Sequence, residues 1–282
     1  MRGVFVGSQA IAAGLLTRHE LQRWYCPIYR GVYVPRGHKP SLRDRTLGAL
    51  LACPQPAVIG GTAASALHGA NWIAAETPIE LLARAKRPQH GLLVRNERVD
   101  EDEITVVAGI PVTTPVRTAF DLGRHLPRDV AVARLDALMY ATPFSLDDVL
   151  LLAQRYPGAR GLRRLRAALP LVDGGAASPK ETWLRLLLTD AGFPRPVTQI
   201  PVSDGWRPVR ILDMGWEDVK VAAEYDGDQH RTNRKQYVKD IRCMQTLQRL
   251  GWIVVRVVAE DRSVDIIRRV DEAFTLRGKA RD

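Results

Sequence analysis

The alternation of apolar and polar residues divides the chain into short helices and strands. Residues 8–24 read as two short helices, the second opened by Thr17 with Glu20 three residues on, a capping-box pattern. Ile28-Tyr29 and Val32–Val34 flank the turn pair Arg30-Gly31 and predict a hairpin. Residues 41–52 predict an amphipathic helix with Leu42, Leu47, Leu50 and Leu51 on one side, ended by Pro54 and Pro56. A strand at 57–59 turns through Gly60-Gly61 into a helix at 62–68; this glycine pair lacks the Lys-Ser/Thr of a phosphate loop and reads as a tight turn. Strands follow at 79–82, 92–95, 104–107 and 110–112, then helices from Thr114-Pro115 to 122 and at 129–140, 146–154 and 160–169. The acidic block 100–103 is expected in a solvated turn.

Pro170–Ala177 is small and glycine-rich and reads as a linker or long turn, with a domain boundary there. Beyond it Ser178, Pro179 and Glu181 open a helix as N-cap, N1 proline and capping-box acid. Leu184, Leu187, Leu188 and Ala191 supply its apolar stripe, and Gly192 ends it. Strands at 197–202, 209–213 and 219–225, a helix near 232–250, a strand at 252–258 and a helix near 260–276 complete the order αβββαβα. Three regions result: 1–50, 51–173 and 178–282.

Composition adds a partner class. The 282 residues carry 41 Lys+Arg and 31 Asp+Glu, a net charge of +10. Such an excess favours a polyanion, nucleic acid before anionic membrane. Residues 1–50 hold 8 bases and 2 acids, whereas residues 178–282 hold 19 and 16. Charge therefore points to the N-terminal segment, where Arg18, Arg23, Arg30 and Arg36 are candidate phosphate contacts. The three cysteines form no CxxC pair, which argues against a disulfide framework or zinc knuckle. No uncharged apolar run is long enough for a membrane span, and the N-terminus lacks a signal-peptide pattern, so a cytoplasmic location is expected.

Three acids occupy strand ends. Asp213 ends the second strand of the C-terminal region, Glu224 lies near the end of the third, and Asp226 follows two residues later. Residues i and i+2 of a strand share a face, so Glu224 and Asp226 should project together, with Asp213 approaching across a hairpin. Converging carboxylates repel, and a hard divalent cation relieves that repulsion. Glu181 could add a fourth carboxylate or simply complete its capping box. His230, in Glu224–Arg231, is a candidate general acid or base or an ordinary loop histidine.

SPKETWLRLLLTDAG, RILDMGW, VAAEYDGDQH and YVKDIRCMQTLQRLGWIVVRVV resemble the endonuclease-like family related to very-short-patch repair (Vsr) endonucleases, within the PD-(D/E)xK superfamily. The resemblance covers residues 178–262 and implies a restriction-endonuclease-like αβββαβ domain that hydrolyses DNA phosphodiesters with Mg²⁺ (or Mn²⁺). It makes Asp213 and Glu224 the metal-binding acids, with the Tyr225 carbonyl as a further ligand. It places Glu181, Asp226 and His230 in the catalytic set and gives Asp240 and Arg242 a structural role. The superfamily lysine two residues after the glutamate is replaced by Asp226; His230, Lys235 or Lys239 could supply the missing group.

In residues 1–173, RGVYVPRG, VIGGTAASALHG and GIPVTTPVRTAFDL resemble AbiEi-type antitoxins of type IV toxin–antitoxin systems. That resemblance implies a DNA-binding winged helix over 1–50, an α/β antitoxin-like region over 51–173 and a cognate toxin as partner. The whole chain then reads as a mixed α/β, cytoplasmic, DNA-directed endonuclease, with double-stranded DNA as its expected substrate. Two alternatives remain open: a non-catalytic antitoxin-like repressor that retains the nuclease fold as a scaffold, and an RNA-processing enzyme.

Overall fold

The computed structural model describes residues 3–53, 56–84, 89–227 and 234–279. The architecture is mixed α/β and divides into two compact units, Met1–Pro170 and Leu171–Asp282.

The first unit begins with β1 (Phe5–Val6), α1 (Gly7–Ala12), α2 (Arg18–Trp24), β2 (Tyr25–Tyr29) and β3 (Val32–Pro35). The strands form a three-stranded sheet in the order β1-β3-β2. Both hydrogen bonds of the Thr17/Glu20 capping box are present, and Gly31 turns the hairpin at φ +75°. In the next helix, α3 (Leu42–Ala52), Leu42, Leu47 and Leu50 of the expected leucine stripe pack against the core, and only Leu51 departs from it. Thr46, Gly48 and Ala49 are its buried residues, while Leu51 is exposed. The reason is close approach: a Cβ on Gly48 would collide with Ile28, so the helix seats its small residues against the hairpin. Ala49 joins Tyr29 and Val32 to Ile59, Leu81 and Val112 in one apolar cluster. The core therefore runs without a break across residue 50, where the sequence suggested a boundary.

That cluster also covers a five-stranded sheet built from β4 (Val58–Gly60), β5 (Ile79–Leu82), β6 (Leu92–Arg95), β7 (Ile104–Val107) and β8 (Ile110–Thr113), in the order β6-β5-β4-β8-β7. α4 (Gly61–Leu67) leaves β4 directly. Gly61 has φ +54°, and a Cβ there would overlap the Glu80 carboxylate, so glycine is required for the tight turn. Four helices complete the unit: α5 (Pro115–His125), α6 (Arg128–Ala141), α7 (Leu146–Arg155) and α8 (Leu162–Ala168).

The second unit follows the expected order: α9 (Pro179–Asp190), β9 (Val197–Asp204), β10 (Arg207–Trp216), β11 (Val221–Tyr225), α10 (Arg234–Arg249), β12 (Ile253–Val257) and α11 (Ser263–Thr275). Its sheet order is β12-β11-β10-β9, antiparallel except for the parallel pair β11/β12. α10 supplies the crossover that a parallel pair requires. One apolar cluster joins Leu184, Met214, Ala223, Val257 and Phe274, and a second joins Ile200, Leu212, Ala222, Leu247 and Trp252. Helices thus cover the sheet on two sides, the layered solution that buries both faces.

The glycine-rich segment expected as a linker or long turn follows the division between the two units and is an anchored turn. Val172 and Ala176 are buried, Asp173 accepts from the Gly175 N–H and the Thr198 hydroxyl, and Arg195 donates to the Val172 carbonyl.

Candidate functional site

β10 and β11 pair through Met214↔Ala223, Gly215↔Ala222 and Trp216↔Val221, and their ladder ends there. The next strand-end donor, Tyr225 N, gives its hydrogen bond to Asp213 Oδ2 at 2.9 Å. The Asp213 side chain therefore continues the ladder that the backbones abandon. Glu224 lies one residue earlier on β11 and is 2% exposed. Its Oε1 accepts from Arg210 Nε at 2.7 Å, while its Oε2 is buried and finds no hydrogen-bond partner among the described residues. Burying an unsatisfied carboxylate oxygen is costly, so that atom is the strongest local sign of a missing ligand.

Glu181 is fixed more fully. Its Oε1 accepts from Ser178 Oγ at 2.9 Å, and its Oε2 accepts from Ala177 N at 2.9 Å and Gln199 Nε2 at 3.2 Å. Ser178 Oγ in turn accepts from Glu181 N, the N-cap bond expected from sequence. Gln199 holds φ +53°, uncommon for a non-glycine residue. Backbone strain of this kind often accompanies functional sites.

Two arginines and Asp240 organise the remaining charge. Arg210 Nη1 donates to Asp240 Oδ1 at 2.7 Å, and Arg256 Nη2 donates to Asp240 Oδ2 at 2.7 Å. Arg256 also pairs with Asp226 at 3.0 Å. Glu224, Arg210, Asp240, Arg256 and Asp226 thus form one continuous chain of ion pairs. Asp240 ties α10 to β10 and β12. Arg210 was not singled out in the sequence; its position three residues before Asp213 was the available signal.

Burial dominates the protonation equilibria. It pushes Glu224 upward, against Arg210, with Asp213 adding to the rise. Burial likewise raises Asp213 against the Tyr225 hydrogen bond and Arg210, and Asp226 adds repulsion. Glu181 is raised by burial against the Ala177 hydrogen bond, with Asp213 again contributing. These mutual repulsions bring Glu181, Asp213, Glu224 and Asp226 into one electrostatic neighbourhood. Burial also pushes Asp240 up, but hydrogen bonds and charge from Arg210 and Arg256 outweigh it and hold that carboxyl low.

His230 and the side chain of Lys235 lie outside the described residues. Lys239 is exposed on α10. Of the N-terminal arginines, Arg18, Arg23, Arg30 and Arg36 are all exposed. Arg23 stacks on Trp24, with its guanidinium carbon 4.8 Å from the ring centre. The Arg36 guanidinium already donates to the Arg23 and Gln22 carbonyls.

Among the described residues, two groups bring three potential metal ligands within 4.8 Å of one another, and both lie in the first unit. They are Glu97, Asp121 and His125, and Asp100, Asp102 and Glu103; either group could in principle hold a divalent ion. Each is interleaved with arginines. Asp121 accepts from Arg117 at 3.0 Å and Arg124 at 2.8 Å, and Glu97 accepts from Arg124. Burial raises Glu97, but His125 and Arg124 outweigh it and bring its carboxyl down to about 2. Glu103 accepts from Arg117, Arg155 and Tyr156 and is 3% exposed. The block 100–103 is therefore not wholly a solvated turn: Glu103 turns inward because buried Arg117 needs a counter-charge. Arg117, Asp121 and Arg124 were missed in the sequence, although their three- and four-residue helical spacing was visible.

No protein-family model matches the chain, and no solved structure matches it. It is similar to two proteins of Mycobacterium tuberculosis, from strains CDC 1551 / Oshkosh and ATCC 25618 / H37Rv, each named only as an uncharacterized protein. Each match is 32% identical over 175 residues, covering 62% of this chain and 64% of the relative. The chain thus spans less than two thirds of the length of these relatives.

Proposed function

We propose that the second unit is a metal-dependent endonuclease acting on DNA, and that the first unit delivers it to DNA. The observation that carries this reading is the buried Oε2 of Glu224, unpartnered among the described residues, close enough to Asp213 for the two carboxylates to repel. An αβββαβ order supports it, with Asp213 inside β10 where the ladder to β11 stops and Glu224 near the end of β11. Among the described residues, no three acids of this unit close within 4.8 Å. That suits Mg²⁺ or Mn²⁺, which binds through one or two carboxylates and keeps water and phosphate oxygens.

Asp213 and Glu224 would hold the ion, with the Tyr225 carbonyl beside them. The ion would supply charge stabilisation at the phosphoryl oxygen and a more acidic water. Asp226, oriented by Arg256, or His230 would accept the proton, and Glu181 would raise the negative field around Asp213. Arg18, Arg23 and Arg30 are the front-surface phosphate contacts; Arg36 serves chiefly to close the end of α2.

A second reading has its own support. Glu224 and Asp226 already carry guanidinium partners in Arg210 and Arg256, as in a site whose charges are internally settled. On that reading the chain is a non-catalytic, antitoxin-like DNA-binding repressor with a toxin as partner. Cleavage assays on single- and double-stranded DNA and RNA with Mg²⁺ or Mn²⁺ separate the two. The nuclease reading expects DNA cleavage that D213N/E224Q abolishes. Sequence-specific binding with no cleavage under either metal establishes the repressor instead.

A further inference from the structure

Residues 155–166, RYPGARGLRRLR, contain five arginines and no acid. Helical periodicity sorts them. Leu162, Leu165 and Ala168 are the buried residues of α8, so Arg163, Arg164 and Arg166 stand on its outer face. Arg160 is exposed in the turn before it. Arg155 is committed elsewhere, to Asp102 and Glu103. The side chains of Arg160, Arg163, Arg164 and Arg166 have no ion pair or hydrogen bond among the described residues, unlike the buried arginines beneath them. They line an open groove of about 650 Å³ whose lining includes no acid.

The backbone under this ridge is held firmly. Gly161 has φ +87°, and a Cβ there would collide with the Arg124 carbonyl. Buried Arg124 also donates to the Arg160 carbonyl at 3.3 Å. Four guanidiniums are therefore presented on a fixed surface, and no acid neutralises them.

We infer that this ridge binds the phosphate backbone of double-stranded nucleic acid, as a contact surface separate from the N-terminal arginines. Arg163 to Arg166 span about 4.5 Å of helix axis, and Arg160 extends the ridge through the turn before it. Over that distance duplex DNA presents several phosphates, one charge per about 1.7 Å of axis. A repeated anion fits four separate guanidiniums better than a single phosphate does. No large apolar side chain is exposed between residues 155 and 168, so the ridge has no wedge for a bilayer. Guanidinium–phosphate contacts are bidentate and independent of base sequence, so the ridge contributes affinity and register. The inference does not depend on metal chemistry in the second unit.

The test uses the full chain in EDTA, which separates binding from cleavage. Fluorescence anisotropy with a labelled random-sequence DNA duplex is measured across a salt series. For R160Q/R163Q/R164Q/R166Q, the slope of log affinity against log salt is expected to fall by about 3–4, with at least a roughly tenfold loss at low salt. The matching four-lysine variant keeps most of the slope, because it keeps the charge. R18Q/R23Q/R30Q/R36Q, measured alongside, reports on the front surface independently. A glutamine variant with wild-type slope and affinity overturns the inference. So does a lysine variant as weak as the glutamine one, or a defect confined to phosphatidylserine vesicles.

Discussion

Asp213 Oδ2 accepts the Tyr225 N–H at 2.9 Å, at the point where the β10/β11 ladder ends. The carboxylate therefore has a structural duty as well as its proposed metal-binding one, and the choice of substitution decides what is measured. Asp213→Ala strands a partly buried N–H and is expected to destabilise the second unit by about 1–3 kcal/mol. Asp213→Asn keeps an oxygen acceptor and removes the charge. It should unfold within about 1 kcal/mol of wild type in urea while losing metal-dependent cleavage. If Asn and Ala destabilise equally, the side-chain hydrogen bond is not what holds the strand end.

Glu181, Asp213 and Glu224 all titrate above their ordinary values, chiefly through burial. In the unfolded chain carboxyls titrate near pH 4. Between that pH and the raised values the folded state holds more protons than the unfolded state. Stability of the second unit should therefore fall as pH rises through this window. E224Q should flatten the dependence, and Mn²⁺ at neutral pH should raise the unfolding midpoint of wild type but not of E224Q. Glu97 acts in the opposite sense: with its carboxyl at about 2, its contribution is present above its unfolded value and lost as acid protonates it. Urea unfolding followed at several pH values checks both signs. A second unit whose stability rises with pH across the window contradicts the burial of these acids.

Arg210 bridges Glu224 and Asp240, both at 2.7 Å. Arg210→Met leaves the Glu224 charge buried without its counter-ion and is expected to destabilise the unit by about 3–5 kcal/mol. Adding E224Q to that variant removes the stranded charge and should recover much of the loss. A double-mutant cycle by chemical denaturation reads the coupling. Additive effects would mean that the two residues do not act as a pair.

The element order of the second unit was legible because each element carries a local signal: a capped α9, strands bounded by glycine turns, and Gly251 before the last strand. The sequence put Asp213 at the end of its strand and Asp226 on the face of Glu224; in the structure β10 runs on to Trp216 and β11 stops at Tyr225, before Asp226. What the sequence concealed was long-range compensation. Arg210 reads as an ordinary strand arginine until β11 and α10 bring Glu224 and Asp240 to it. The leucines of α3 gave its core-facing side correctly for Leu42, Leu47 and Leu50, but not the fully buried Thr46, Gly48 and Ala49, which the close approach at Gly48 brings against the hairpin. Glu103 lay within an acidic block that pattern assigns to solvent, and only the buried Arg117 explains why it points inward. The arginine ridge escaped notice because the first fifty residues held the larger local excess, and exposure cannot be counted from composition.

Arg117 gives the sharpest stability test in the first unit. It is 1% exposed, donates to Asp121 at 3.0 Å and to the Arg98 carbonyl at 3.0 Å, and also pairs with Glu103. Its guanidinium carbon lies 5.4 Å from the Phe120 ring centre and 5.3 Å from that of Tyr156. The planar fork is thus used in its plane by acceptors and on its faces by aromatic rings. Lysine can replace the charge but not that geometry. Arg117→Met leaves Asp121 to Arg124 and Glu103 to Arg155 and Tyr156, each short of one buried counter-charge, and should cost up to about 3–5 kcal/mol, with Arg117→Lys falling in between. Adding D121N to the methionine variant removes one under-compensated charge and should restore part of the loss. Equilibrium unfolding of the four proteins orders them as wild type, lysine, methionine/asparagine and methionine. A methionine variant as stable as wild type would show that the network does not hold α5 in place.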